Sequence, residues 1–402
     1  MRVLLVHNYY QKPGGEDRVF AAESALLKQR GHDVVTWCEH NDRVAEVGRI
    51  RLAAKTVWNG SSYSGFRSLV RREKPDVCHF HNTFPLISPA VFHAARAEGV
   101  PVVVTLHNYR LLCPSATLLR DGKVCEDCRG KPIAWPAVVH GCYRGSRSAS
   151  ATAATMLGVH RAVGTWSRAV DVYIALTEFA RRKFIEGGLP AAKLAVKPNF
   201  VDPDPGYSNV REEYALFVGR LSPEKGLETL LDAWRILKSP MRLRIAGDGP
   251  LASLVQERAA RDRRIEWLGP LSGDEVASLM RSAYVLVFPS VWYEGLPLTV
   301  LEAYATGLPV IASAIGGLVE LVPADVGIQF RPGDSEDLAR KVLWCRGNTE
   351  QLAVMGRAAR KKFEDEFTAE SNYGRLIQIY GRIQKRAHMS VGAPDMSVCA
   401  TS

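Results

Sequence analysis

The chain's 402 residues and 47% apolar content suffice for two domains with sizeable cores, which excludes a disordered chain and a single small module. A formal net charge of +10 calls for acidic company: a sugar nucleotide, an anionic membrane surface or nucleic acid. No apolar run approaches the ~18 residues of a spanning helix, and the opening Met1-Arg2-Val3-Leu4-Leu5-Val6 turns polar at His7. The expected location is therefore cytoplasmic, at most peripheral on the inner face of the plasma membrane. Eight unevenly placed cysteines suit reduced thiols or a metal better than a disulfide framework.

Apolar strands, glycine-bearing loops and amphipathic helices alternate along the chain, the rhythm of an α/β protein with parallel sheets. In the first lobe, strand Val3–Val6 leads through the loop Gln11–Asp17 into a helix over Arg18–Gln29 that stops at Gly31. Strands follow near Val34–Trp37, Val77–Phe80, Val102–Leu106 and Val172–Ala175. Between the second and third of the lobe's strands, Arg43, Arg49, Arg51, Lys55, Arg67, Arg71, Arg72 and Lys74 interleave with apolar residues. That pattern reads either as a membrane-facing element or as an ordinary helix pair covering the lobe. Cys113, Cys125, Cys128 and Cys142 then cluster in a segment with Gly and Pro. Four thiols including one Cys-x-x-Cys pair suit a structural tetrahedral zinc, with an iron-sulfur cluster, a disulfide or plain thiols as alternatives.

The proline-rich stretch Lys197–Gly206 reads as a hinge. Beyond it, strands near Ala215–Val218, Leu243–Ala246, Ile265–Leu268, Val285–Phe288 and Val310–Ser313 repeat the pattern. Thr368 can cap a last helix to about Arg386, and the small, polar tail from Ala387 is expected to be disordered. The expected units are 1–198 with a cysteine insert at 113–142, 199–367, a helix at 368–386 and a tail at 387–402.

The chemistry concentrates where strands of the second lobe end, because open parallel sheets place ligands at their carboxyl edge. In Gly219-Arg220-Leu221-Ser222-Pro223-Glu224-Lys225-Gly226, Arg220 offers a planar fork and Lys225 a mobile point charge, which together suit a diphosphate. The loop Ala246-Gly247-Asp248-Gly249-Pro250 and the strand end Trp267-Leu268-Gly269 let backbone approach a flat ligand. Glu294 lies before a helix that Pro297 opens, Glu302 lies inside it, and the amides of Gly295, Leu296 and Leu298 would meet an anion between the two acids. In the first lobe, Gly14 and Gly15 permit close backbone approach without forming the dinucleotide pattern Gly-x-Gly-x-x-Gly. His107 follows a strand directly.

The segment Glu294-Gly295-Leu296-Pro297 through Glu302-Ala303 to Gly307-Leu308-Pro309-Val310 resembles the Glu-x7-Glu motif of the retaining glycosyltransferases of family 4. The resemblance implies the GT-B architecture, two Rossmann-like parallel-sheet domains facing across a cleft. It further implies that Arg220 and Lys225 bind the diphosphate of a UDP- or GDP-sugar donor, and that Gly247, Gly249 and Leu268 hold the base. Glu302 would grip the ribose and Glu294 the hydroxyls of the transferred sugar. Gly14, Gly15 and His107 would sit beside that sugar and the acceptor, and the last helix would cross back to the first lobe. The family works without a catalytic metal, so Asp202-Pro203-Asp204 in the hinge is read as turn chemistry. A similar cysteine insert occurs in a subset of bacterial members, and members that act on lipid-linked acceptors dock on the inner leaflet through basic first-lobe surfaces. The expected activity is retaining transfer of a sugar to a glycan or lipid-linked acceptor in bacterial cell-surface polysaccharide synthesis. A sugar-nucleotide epimerase of the same fold and an inactive nucleotide or RNA binder are the alternatives. No RNA-binding signature is present, so nucleic acid is not an expected partner.

Overall fold

The computed structural model describes residues 1–12 and 14–391. Pro13 and residues 392–402, which hold most of the expected tail, lie outside the described residues. Two six-stranded parallel sheets form the two lobes. The first runs Asp33–His40, Arg2–Tyr9, Val77–Phe80, Val102–Leu106, Val172–Ala175 and Leu194–Val196 in spatial order. The second runs Ile265–Gly269, Arg242–Ala246, Tyr214–Val218, Val285–Phe288, Val310–Ser313 and Gly327–Phe330. Central strands such as Val77–Phe80, Val285–Phe288 and Val310–Ser313 are buried along their whole length. Helices cover both faces of the sheets, so these strands read as largely apolar runs, with His79 and Ser313 as buried polar exceptions.

Two edge strands were not expected, Leu194–Val196 and Gly327–Phe330. Both are short and only partly buried, so neither carries the apolar run that marks the central strands. The first helix begins at Gly15 rather than Arg18, because the Asp17 carboxylate accepts the Gly14 amide at 2.8 Å and starts the turn early. The basic stretch forms two helices, Arg49–Val57 and Gly60–Glu73. Phe66 and Val70 are buried in the lobe's core, while Arg67 and Arg71 both pair with Glu98 at 2.6 and 2.9 Å. Ile50 alone among the stretch's aliphatic residues stands well out, 88% exposed between Arg49 and Arg51.

The final helix, Ala369–Val391, runs five residues past its expected end. Thr368 accepts the Ser371 amide at its start. Leu376, Ile379, Tyr380 and Ile383 pack against Val3, Leu5, Phe20 and Val77 of the first lobe, so the chain returns to the domain where it began. Asp204 of the hinge is held by both terminal nitrogens of Arg360 at 2.8 and 2.7 Å, a bidentate pair that occupies the carboxylate. Among the described residues no helix is long and apolar enough to cross a membrane.

Candidate active site

The strand order of each sheet reverses beside its first strand. In the second lobe, Tyr214–Val218 lies between Arg242–Ala246 and Val285–Phe288, so the loops leaving Val218 and Phe288 diverge and open a crevice. These loops are stitched together by the Val291 amide, which donates to the Glu224 carbonyl at 3.0 Å. Facing loops of the first lobe close the other side, and the space between encloses about 930 Å³.

Both lobes contribute to its walls. Gly14, Gly15 and His107 line it from the first; Arg220, Lys225, Gly249, Glu294, Gly295, Leu296 and Leu298 line it from the second. Gly247 borders an adjoining pocket of about 250 Å³ that shares Arg220 and Asp248. Leu268 borders neither space; it is a half-buried strand residue. Glu302 is not in the wall itself. Its Oε1 accepts Arg18 Nη2 across the cleft at 2.6 Å, and Arg18 does line the space.

The electrostatics are lopsided. Arg220 is exposed to the cleft and has no ion-pair partner among the described residues. Lys225 Nζ donates to Glu294 Oε1 at 2.8 Å and lies over the rings of Phe288 and Trp292. Ser290 Oγ and Trp292 Nε1 donate to the same Glu294 oxygen at 2.5 and 2.8 Å, so among the described residues every hydrogen bond of this carboxylate falls on Oε1. The helix Leu298–Ala305 begins here without a side-chain cap, leaving first-turn amides for an anion. Pro297 is its cap residue and has no amide to offer. The lobes approach tightly: a Cβ on Gly295 would come within 2.6 Å of the His107 carbonyl oxygen. Gly247, at φ +138, is required for a related reason, since a Cβ there would meet the Gly219 carbonyl at 2.0 Å. Loop packing, as well as ligand access, thus demands this glycine.

Two family models divide the chain between them: Glycosyltransferase Family 4 matches residues 13–205 and Glycosyl transferases group 1 matches residues 212–348. Between them the two models take in both lobes, and the fold is the GT-B architecture, two Rossmann-like parallel-sheet domains facing across a cleft. It is 27% identical to the sulfoquinovosyl transferase SQD2 of Arabidopsis thaliana over 312 residues, 74% of this chain and 55% of that protein. With the putative colanic acid biosynthesis glycosyltransferase WcaL of Escherichia coli it shares 30% identity over 219 residues, 50% of this chain and 54% of that one. These alignments span about half the length of both relatives. The crystal structure of Anabaena HepE in complex with UDP superposes with a TM-score of 0.68 at 19% identity, covering 97% of this chain and all 100% of HepE.

Behind the cleft lies a buried network that the sequence did not reveal. His81 Nδ1 and His107 Nε2 are 2.9 Å apart, and Glu23 Oε1 lies 3.2 Å from both His81 and His79. Lys197, in the hinge, donates to Glu23 Oε2 at 2.7 Å, and His79 reaches Tyr380 of the returning helix at 2.8 Å. Burial, with His81 and His7 beside it, holds His107 well below the usual histidine range, so the ring facing the cleft is neutral. Nothing local marks Glu23, His79 or His81 in the sequence, because a helix residue and two strand residues meet Lys197 only through topology.

Glu16 was also missed. It follows Gly14-Gly15, where an acid in a helix's first turn reads as ordinary dipole pairing. Its Oε2 accepts Tyr10 Oη at 3.1 Å and Asn108 Nδ2 at 3.2 Å, and the residue lines the cleft. In sequence the four cysteines flank a small hairpin, Leu119–Arg120 with Lys123–Val124. Among the described residues, no three of their sulfurs lie within 4.8 Å of one another. The group that does meet this distance is Glu23, His79 and His81: Glu23 Oε2, both His79 nitrogens and His81 Nδ1 have hydrogen-bond partners, while Glu23 Oε1 and His81 Nε2 face each other at 3.2 Å.

Proposed function

We propose that this protein is a retaining glycosyltransferase that moves a sugar from a UDP- or GDP-sugar to a glycan or lipid-linked acceptor, in the synthesis of a bacterial surface polysaccharide. One observation carries the reading: an unpaired Arg220, beside Lys225 and an uncapped helix start, at the crevice where the sheet order reverses. Three kinds of positive charge converge on one place, which is what a departing diphosphate needs. HepE binds UDP and UDP-glucose, and WcaL is named for colanic acid synthesis; both support the donor and acceptor classes.

In this mechanism the bond between the anomeric carbon and the diphosphate oxygen breaks. An acceptor hydroxyl attacks from the same face, and its proton passes to the leaving phosphate oxygen. Arg220, Lys225 and the amides near Leu298 hold the anion as its charge grows. Glu294, fixed through Oε1 by three donors, positions the transferred sugar with Oε2, and Glu302 takes the ribose. Gly247 and Gly249 shape the space for the base. His107 stays neutral beside the sugar, so it offers a hydrogen bond without repelling the developing cation.

The test is a panel of UDP- and GDP-sugars screened for slow hydrolysis. Glu294→Gln is expected to keep UDP affinity within about twofold while turnover falls by about 100-fold, since its contacts strengthen toward the transition state. Unchanged turnover in that variant removes Glu294 from the assignment. Two accessory readings go with the proposal. A structural zinc at Cys113, Cys125, Cys128 and Cys142 requires their sulfurs to close around one ion; elemental analysis is expected to find one zinc per chain, and a fully folded zinc-free preparation refutes it. The exposed Ile50 between Arg49 and Arg51 suits shallow contact with an anionic leaflet, and sedimentation with liposomes that ignores lipid charge counts against that contact.

A further inference from the structure

The loops at the carboxyl ends of Val77–Phe80 and Val102–Leu106 border a second, smaller space of about 70 Å³. It shares His107 and Asn108 with the cleft, so the two adjoin on the first-lobe side, at the sheet edge where ligands bind. Arg110 is the one arginine or lysine in its lining. The guanidinium is fixed in place: it stands over the rings of Phe84 at 4.1 Å and Tyr143 at 4.9 Å, and Nη1 donates to the Pro114 carbonyl. The Asn108 side-chain oxygen accepts the Arg110 amide at 3.0 Å and holds the turn. Nε and Nη2 have no hydrogen-bond partner among the described residues, and neither is enclosed, so two donors of the fork stay open to solvent.

A second guanidinium stands beside the first. Arg144 is exposed and lies over the same Tyr143 ring at 5.6 Å. Among the described residues neither arginine has a carboxylate within ion-pair distance, and the stretches that carry them, 99–120 and 128–170, contain no Asp or Glu. Glu16 is a carboxyl that Arg110 does influence, but burial pushes it up to about 8, so near neutral pH it keeps its proton and does not cancel the arginine. Two like charges on one ring repel, and a dianion held by both turns that repulsion into attraction. A phosphate or diphosphate group carries the charge, and its oxygens match the planar fork. The donor's diphosphate has its partners in the second lobe, so an oxyanion site here serves the other substrate.

We propose that Arg110, with Arg144 beside it, forms an oxyanion site for the acceptor, binding a phosphate group carried by the incoming substrate. That group is the diphosphate of a lipid-linked saccharide or the phosphate of a sugar phosphate. The assignment rests on the transferase reading above and adds the chemistry by which the first lobe selects its substrate.

The experiment uses the full chain with its donor site saturated by the nucleoside diphosphate that the hydrolysis panel selects. Geranyl diphosphate and glucose 1-phosphate are titrated in by calorimetry, with geraniol and methyl glucoside as their uncharged counterparts. At least one phosphate is expected to bind, and Arg110→Ala to weaken it about tenfold or more while nucleotide affinity moves less than about twofold. Arg110→Met keeps a long side chain between the rings without its charge and should lose binding equally, which separates loss of the cation from a loosened loop. Arg144→Ala, at the exposed position, should weaken the same ligand by about threefold. Tighter binding of geranyl diphosphate makes the source a lipid diphosphate, and tighter binding of glucose 1-phosphate makes it a soluble sugar phosphate; each supports the oxyanion site. Full phosphate affinity in Arg110→Met overturns the site, as do phosphates that bind no better than their uncharged counterparts. Failure of every nucleotide sugar to turn over defeats the transferase reading instead.

Discussion

The two walls of the cleft are built by opposite strategies. The second-lobe wall uses residues close together in the chain: Arg220 and Lys225 share one loop, and Glu294 and Glu302 flank one helix start. The first-lobe wall rests on residues that only the fold assembles. Glu23 lies on the first helix, His79 and His81 on and after the third strand, Lys197 in the hinge and Tyr380 on the last helix. One wall presents Arg220 to a ligand without an ion-pair partner among the described residues; behind the other, the buried charge of Glu23 is paired with Lys197. The contrast separates a binding surface from a scaffold that holds the lobes in register.

The largest effect expected from breaking this contrast is on stability. Lys197 and Glu23 are 1% and 0% exposed at 2.7 Å. Lys197→Ala strands a buried carboxylate, which costs ~3–5 kcal/mol and should lower the melting temperature markedly. Burial pushes Glu23 up, but Lys197 and then His79 hold it well below the ordinary carboxylate value. A lowered folded-state value means the pair's stabilisation is complete above ~4.3, the unfolded value, and is lost as pH falls through the folded one. The melting difference between wild type and Lys197→Ala should therefore shrink in acid. An unmoved melting temperature would remove the network from the scaffold.

Arg220→Ala tests the other wall and should behave in the reverse way. Donor hydrolysis is expected to fall ~10²–10³-fold, as when one preorganised donor to a developing anion is lost. The melting curve should hold or improve, since an unpaired cation gains nothing from the fold. A variant that melts early instead would show that Arg220 has a structural partner and that the two walls are not divided as described.

This division also explains what was legible beforehand. Five strands per lobe carried apolar or alternating patterns and were readable, as were the loops that follow them. Arg220, Lys225 and Glu294 meet through loops already marked by proline and glycine, so their convergence followed from strand order. Gly247 was readable as a position needing glycine, although its close neighbour is the Gly219 carbonyl. Glu16 could have been noticed beside Gly14 and Gly15, but only the enclosure of Oε1 distinguishes it from a first-turn acid. The Glu23 network had no local signal at all, because His79 and His81 differ from any buried strand histidine only in what lies opposite. Leu268, placed in the base site by strand-end logic, borders neither cavity, whereas Pro270 and Leu271 just beyond it line the smaller one.

The smallest effect is the most informative about how the walls meet. Arg18 of the first lobe holds Glu302 of the second at 2.6 Å, with Arg18 63% and Glu302 16% exposed. If Glu302 takes the donor ribose, the arginine and the ribose compete for the same oxygen. An ion pair this open contributes ~0.2–1 kcal/mol, so removing it should shift equilibria by no more than about fivefold. The sign decides between two roles. With competition, Arg18→Ala frees Glu302 and tightens UDP binding by about twofold to fivefold, and added salt narrows the gap to wild type by screening the pair. If Arg18 instead reaches the donor diphosphate, the same substitution weakens UDP binding, and Glu302→Gln would not reproduce it. Calorimetric titration of UDP into both variants at two salt concentrations separates these outcomes, and weaker binding in Arg18→Ala would make the arginine a third cation of the donor site.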